Sequence, residues 1–308
     1  MQVADETAGT RAGPSFDHAI ALRRRADNDY EMNIDPSWWV DIGPNGGYLA
    51  AVLSRAAELE ATRLGNNHRP ASASIHYLRP PRVGLAIVSA RLIRSGRTTT
   101  VLHLDLHQEH TGTFVTSLFT LVAPTSNEPV SEAPSTNSIA SPIAPNHSRS
   151  LYEGASPAYL DHWEIQPVRG HLPFSSPMNT PTGPLDCAGW IRLREVRPVD
   201  ASLLAAMADA WAPVIFGVLE GPALLPTLSF NLLWRAQPSN TQWCFITLRT
   251  EAVSEGLVDE SVEIRAEDGT LLLQGRQLAQ LGSAAHRSSP WSVPGNSTLF
   301  TEGNGPCA

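Results

Sequence analysis

Two kinds of apolar periodicity alternate along the chain. Tyr48, Val52, Ala56 and Leu59 fall at helical spacing in an Ala/Leu-rich run over 48–63 that no proline interrupts. That spacing predicts a helix, entered from the turn Gly43-Pro44-Asn45-Gly46-Gly47. The pattern then switches to strand-like segments at 71–78, 85–93, 98–108 and 113–123, broken by Pro80-Pro81, Ser95-Gly96 and Thr111-Gly112. In the third segment Leu102, Leu104 and Leu106 share one face, while His103, Asp105, His107 and then Glu109 share the other. This is the alternation of a strand with one buried side.

The same order returns later. A strand-like segment at 187–193 precedes a helix that begins near Asp200, a sound cap for Ala201-Ser202-Leu203-Leu204-Ala205-Ala206-Met207. Segments at 227–234, 242–253, 257–266 and 270–281 follow, broken at Gln237-Pro238-Ser239, Glu255-Gly256 and Asp268-Gly269. Arg94-Ser95-Gly96-Arg97 answers Ser254-Glu255-Gly256-Leu257, and Gly112 answers Gly269. A helix with four consecutive strands, met twice, predicts a duplicated α+β unit in which a curved antiparallel sheet wraps a central helix.

Between the repeats the composition changes. Residues 124–149 are rich in Pro, Ser, Thr and Asn without apolar period, which is linker composition. A second Pro/Gly-rich stretch over 172–183 keeps only anchors such as Phe174 and Met178. Tyr152, Tyr159 and Trp163 between the two suggest an irregular connection across the surface. The expected map is a first unit over 15–123, a connection over 124–183, a second unit over 184–283 and a tail over 284–308.

Composition then excludes several function classes. With 308 residues each half can bury its own core, and 42% hydrophobic against 17% charged residues is ordinary for a globular chain. A net charge of −8 argues against a nucleic-acid partner, though not against small anionic ligands. No apolar run approaches the ~18 residues of a membrane span, and the acidic start Met1-Gln2-Val3-Ala4-Asp5-Glu6 has no secretory pattern. Cys187, Cys244 and Cys307 fit no metal or redox spacing, and the end Gly305-Pro306-Cys307-Ala308 is neither a peroxisomal tripeptide nor a prenylation box. A cytoplasmic location is the expectation. The chain has no Gly-x-Ser-x-Gly elbow, no Gly-x-Gly-x-x-Gly and no phosphate loop. The row His103, Asp105, His107, Glu109 could be drawn as a metal site. Ligands in a row converge poorly on one ion, so a solvated face is the better reading and neither metal nor cofactor is expected.

Several short motifs in order carry a resemblance. They are Trp39 before Gly43-Pro44-Asn45-Gly46-Gly47-Tyr48, His76-Tyr77-Leu78-Arg79-Pro80, and Arg94-x-Gly96-Arg97 in the first half. In the second half they are Asp209-Ala210-Trp211-Ala212-Pro213, Pro226-Thr227-Leu228-Ser229, Trp243, and the run from Gly269 to Gln277. Together they resemble the double-hotdog acyl-CoA thioesterases of the thioesterase II group and the thioesterase-like superfamily, over nearly the whole chain. The resemblance implies two fused hotdog domains and a thioester hydrolase acting on an acyl-CoA or acyl-carrier thioester. It also implies a water held by an Asp on the second helix, a Thr on the next strand and a Gln on the last: here Asp209, Thr227 and Gln277. A homo-oligomer of such units is compatible with it.

The chemistry of these residue types fits. A carboxylate among Ala205, Ala206, Met207, Ala208, Ala210 and Trp211 is shielded enough to act as general base, and Thr and Gln can orient a water without titrating. Gly46 and Gly47 open the first helix at its positive end, so the N–H of Gly47 or Tyr48 is the expected oxyanion donor, with His76 near the cleft. Trp211, Ile215, Phe216 and Leu228 offer an acyl tunnel. Because 49–53 carries no carboxylate, one site per chain is expected. Hotdog frames also host dehydratases and cyclases, so a tailoring enzyme acting on a polyketide-like intermediate of secondary metabolism is the alternative. A non-catalytic acyl-binding protein would have no need of the polar trio.

Overall fold

The structure is a computed structural model of the chain, and it describes residues 15–26, 28–40, 42–125, 157–170, 185–217, 219, 223–238 and 241–282. The expected linker over 124–149 apart from its first two residues, the Pro/Gly-rich stretch over 172–183 and the tail expected at 284–308 lie outside the described residues.

Alternation of apolar and polar positions produces six strands in the first half: β1 (Arg23–Ala26), β2 (Asp29–Ile34), β3 (Arg69–Tyr77), β4 (Gly84–Ser95), β5 (Thr99–Gln108) and β6 (Gly112–Val122). The second half supplies β7 (Trp163–Gly170), β8 (Leu185–Leu193), β9 (Thr227–Trp234), β10 (Cys244–Ser254), β11 (Leu257–Ala266) and β12 (Leu271–Gln280). All twelve join one antiparallel sheet in the order β1-β2-β4-β5-β6-β3-β9-β12-β11-β10-β8-β7. Read from either edge the order is the same if each strand is exchanged for its counterpart, so the β3–β9 pair lies on a pseudo-two-fold axis. The chain is a double hotdog.

Even the irregularities repeat. Ala71 and Leu228 are the extra residues of bulges on β3 and β9, and Phe114 and Leu272 those on β6 and β12. A bulge is fixed by local packing and does not arise by chance at matching places, so these pairs give a residue-by-residue correspondence between the halves. The hairpin turns match less well. Glu255 and Gly256 both have positive φ and close a two-residue turn, whereas Ser95 pairs with Thr100 across a longer loop at Gly96. Gly112 and Gly269 both take positive φ, as their equivalence requires.

Two edge strands were not expected. β7 runs through the segment read as an irregular connection, preceded by a 3-10 turn over Ala158–His162, and it pairs with β8. Pro167 and a bulge sit in it, which an edge tolerates because no further strand needs its N–H. At the other edge β1 is Arg-rich and exposed along its length, a charged strand that resists further pairing.

Inside the sheet lie helices α2 (Gly46–Arg63) and α3 (Ala201–Met207); a single turn, α1 (Phe16–Ala19), packs outside them. The buried face of α2 is built of Ala50, Ala51, Val52, Leu53, Ala56, Ala57 and Ala61. Small side chains let the sheet and α3 approach closely. Asn45 caps its start by accepting from Tyr48 N–H, and Gly65 at φ +77 follows its end. The start of α2 lies beside the end of α3: a Cβ on Gly47 would stand 2.8 Å from the Ala206 carbonyl oxygen and 3.0 Å from that of Ala205. Only glycine fits there. That contact fixes the place of the candidate site.

Candidate active site

Asp209 lies just past α3, in a turn closed by Asp209 N–H donating to Ala206 O at 3.3 Å. The helix has ended, so the side chain leaves its axis and meets the start of α2. Gly47 N–H donates to Asp209 Oδ2 at 2.9 Å, and Asn45 Nδ2 donates to the same oxygen at 3.0 Å and to the Asp209 carbonyl at 2.8 Å. Asn45 thus caps α2 with its oxygen and holds the carboxylate with its nitrogen. On the other side Gln277 Nε2 donates to Asp209 Oδ1 at 3.3 Å and also to Thr227 Oγ1. The structure therefore brings Asp209, Thr227 and Gln277 together.

Electrostatics at this carboxylate is a contest between burial and donors. Removal from water pushes its pKa up to about 6, against the pull of Gly47, Gln277, Gly46 and Asn45. A base poised near neutrality matches the optimum for proton abstraction from water.

The expected oxyanion donors are arranged otherwise. Gly47 N–H is given to Asp209, and Tyr48 N–H to Asn45 Oδ1 at 3.0 Å. The side chain of Tyr48 belongs to the core: fully buried, it stacks on Trp38 and donates to Ala19 O at 2.9 Å. His76 is exposed on β3 and is absent from the cavity wall. Side chains on a strand alternate, so it is the next residue, Tyr77, that faces the site. Its hydroxyl donates to Gly46 O at 2.7 Å, and burial with the charge of Asp209 holds its pKa well above the phenol range. Asn45 and Tyr77 stood within quoted motifs but carried no signal of their roles.

Glu260 was missed as well. It lies on the buried face of β11, directly across from Gln277, and accepts from Val214 N–H at 2.8 Å. Burial pushes its pKa up to about 7, aided by Asp209.

Asn45, Tyr77, Asp209, Thr227 and Gln277 line a cavity of about 430 Å³, and Glu260 lies behind its wall. Its walls are mostly apolar, among them Leu49, Trp211, Phe216, Leu225 and Leu228, with Tyr159 and Pro213. Trp211, Phe216 and Leu228 stand where an acyl tunnel was expected, while Ile215 is buried in the core instead. The size suits a small-molecule ligand. The row on β5 lies elsewhere, on the outer face: His103 pairs with Asp105 at 3.6 Å and Thr116, and His107 with Ser89. Among the described residues no group of three His, Cys, Asp or Glu could hold a metal, and no helix is long and apolar enough to cross a membrane.

Residues 35–122 match the family model of the acyl-CoA thioesterase N-terminal domain, and residues 132–281 match that of the acyl-CoA thioesterase C-terminal domain. The chain belongs to the acyl-CoA thioesterase family. The family is one of thioester hydrolases. Among solved structures, one named for thioesterase II from Thermobifida fusca is similar at 26% identity and TM-score 0.75, covering 87% of this chain and 99% of that one. A hot dog protein of unknown function from Alicyclobacillus acidocaldarius shares the fold at 22% identity and TM-score 0.74, covering 87% and 98%. The thioesterase-like protein TwmA of Talaromyces wortmannii is 25% identical over 284 residues, which is 91% of this chain, and the chain spans 66% of that relative's length.

Proposed function

We propose that this acyl-CoA thioesterase hydrolyses the thioester of coenzyme A or of an acyl carrier by direct attack of water, with Asp209 as general base. The observation that supports it is the Asp209 carboxylate itself, desolvated, held at the start of α2 and joined through Gln277 to Thr227 at the wall of an apolar cavity. The acyl chain occupies that cavity. Water lies against Asp209 Oδ1, Thr227 and Gln277. As the water oxygen bonds to the carbonyl carbon, one of its protons passes to Asp209 and the carbonyl π pair moves to oxygen. When the oxyanion collapses, the C–S bond breaks, sulfur leaves with the electron pair, and the proton on Asp209 passes to it. The products are a carboxylic acid and a thiol, and Asp209 is again ionised. No covalent enzyme intermediate forms.

The test is release of free thiol from a panel of acyl-CoAs of graded chain length. Thiol release that depends on Asp209 is the expected result. Dehydration or cyclisation of a β-keto thioester without thiol release would move the assignment to a tailoring reaction on the same frame.

A further inference from the structure

The backbone donors at the start of α2 are already committed, Gly47 N–H to Asp209 and Tyr48 N–H to Asn45. A tetrahedral oxyanion formed beside Asp209 needs another donor, because unpaired charge in so apolar a site would cancel the gain from a well-placed base. We propose that the Tyr77 hydroxyl is that donor, making Tyr77 a catalytic residue; the assignment rests on the hydrolytic reading above.

Geometry carries it. Tyr77 ends β3 at the cavity wall. A Cβ built on Gly46 would lie 3.1 Å from Asp209 Oδ2 and 3.3 Å from the Tyr77 hydroxyl oxygen. Carboxylate and phenol therefore both border the same glycine. A carbonyl carbon attacked by water from the Asp209 side can present its oxygen to the tyrosine side, which is the arrangement such a reaction requires.

The hydroxyl now donates to Gly46 O at 2.7 Å, and it can turn away without leaving that carbonyl unpaired. Gly46 is the first residue of α2, so its carbonyl also serves as acceptor for the helical N–H four residues on, that of Ala50. The other half shows the contrast. Trp234, the counterpart of Tyr77 when counted from the matched bulges, donates from Nε1 to Ala201 O at 3.0 Å, again the first residue of its helix. Both halves latch an aromatic side chain onto the start of a helix. An indole N–H is fixed in the ring plane, whereas a phenol proton turns about its C–O bond, and only the phenol borders the cavity. Burial and the charge of Asp209 keep that phenol protonated, as a donor must be.

The experiment compares the parent with Tyr77→Phe on an acyl-CoA that the parent hydrolyses. The expected result is a fall in kcat of roughly 10²-fold, the scale for one oxyanion donor, with KM within a few-fold. Two analogues separate catalysis from a merely structural latch. An acyl-CoA trifluoromethyl ketone, whose adduct carries the oxyanion, should bind the variant tens of times more weakly. An acyl-CoA thioether, which has no carbonyl, should bind both alike. An unchanged kcat, or equal weakening of both analogues, overturns the assignment. Should Tyr77→Phe not fold, 3-fluorotyrosine at position 77 keeps the latch with a stronger hydrogen-bond donor, and the trifluoromethyl ketone should gain affinity over the thioether relative to the parent. An unchanged ratio of the two affinities overturns it equally. A parent that releases no thiol overturns the hydrolytic reading and this role with it, whereas an active parent with an equally active Tyr77→Phe overturns the role of Tyr77 alone.

Discussion

Asn45 and Asp200 occupy equivalent places in the two halves: each caps a helix, Asn45 by accepting from Tyr48 N–H and Asp200 from Leu203 N–H at 2.8 Å. From that shared start the helices diverge. α2 continues to Arg63, but α3 stops at Met207, shortly before Pro213, a residue that cannot continue a helix interior. Counted from the caps, Asp209 corresponds to Ser54 and Gly47 to Ser202; counted from the bulges, Thr227 corresponds to Pro70 and Gln277 to Phe119. Each of these first-half residues is closed to chemistry. Ser54 is buried and donates to Ala50 O at 2.8 Å, Pro70 is buried, and Phe119 is fully buried with its ring 6.1 Å from that of Trp234. Duplication supplied two frames, and a shortened helix opened one of them. A helix that runs on fills the cleft it would otherwise border, whereas α3, by stopping, leaves Trp211, Pro213, Phe216 and the segment over 223–228 to wall a cavity.

The comparison is broken most directly by exchanging function between the two ends. Asp209→Asn keeps size and hydrogen-bonding reach but removes the proton acceptor, so thioester hydrolysis should fall by roughly 10²–10⁴-fold. Ser54→Ala at the equivalent place should leave the rate within about twofold, the mutation being far from any chemistry, and its cost should show only as lost stability of about 1 kcal/mol. If the two variants lose comparable activity, the assignment of roles to the halves is wrong. A non-hydrolysable acyl-CoA should titrate to one site per chain, and two equivalent tight sites would mean that the first half is open after all.

Next in size are Thr227→Ala and Gln277→Ala, each expected to lower kcat by roughly tenfold or more. Combined with Asp209→Asn they should add little, since groups that hold one water act as a unit. Full additivity in the double variants would show that they serve separate steps.

Much of this was legible in the sequence, and the boundary has physical causes. Strands such as β5 and β9 announce themselves because one face is apolar and the other polar. β1 has three arginines and no apolar face, so nothing in its pattern signals a strand; it exists because β2 offers it an edge. Pro167 concealed β7 for the converse reason, since proline argues against a strand except at an edge. The order of motifs singles out Asp209, Thr227 and Gln277, which the structure brings together, but it does not show who holds the carboxylate. The N–H of Gly47 looked free because a helix start is locally unsatisfied. Its partner comes from a residue 162 positions away, through a helix contact that no local pattern encodes. Glu260 differs: an acid in register with Val258, Val262 and Ile264 on the buried face of β11 was visible as a break in the alternation.

That buried acid gives the smallest and last effect, and one that sharpens the contrast, because its place in the first half is taken by Leu102, also fully buried. Burial, the leading cause, raises the pKa of Glu260 to about 7, and the charge of Asp209 adds to it, against Val214 N–H and Thr250. In the unfolded chain the same group titrates near the ordinary glutamate value, at roughly 4.3. Between these two values the native state binds more protons than the unfolded state, so the contribution of Glu260 to stability is whole below the lower value and is lost as pH rises through about 7. Asp209 acts with the same sign up to about 6. Glu260→Gln is neutral at every pH and keeps an acceptor for Val214 N–H. Its melting temperature should therefore fall less between pH 5 and pH 8 than that of the parent, by a few degrees, with the two proteins closest at pH 5. Catalysis runs the opposite way, since Asp209 must be ionised to accept a proton: kcat/KM should rise with pH and reach half its plateau near pH 6, the value to which burial brings that carboxyl. Thermal melts of both proteins at the two pH values decide the matter. Parallel loss of stability in parent and variant would show that Glu260 keeps one charge state on folding, and that the second half tolerates an acid where the first needs a leucine for some reason other than proton binding.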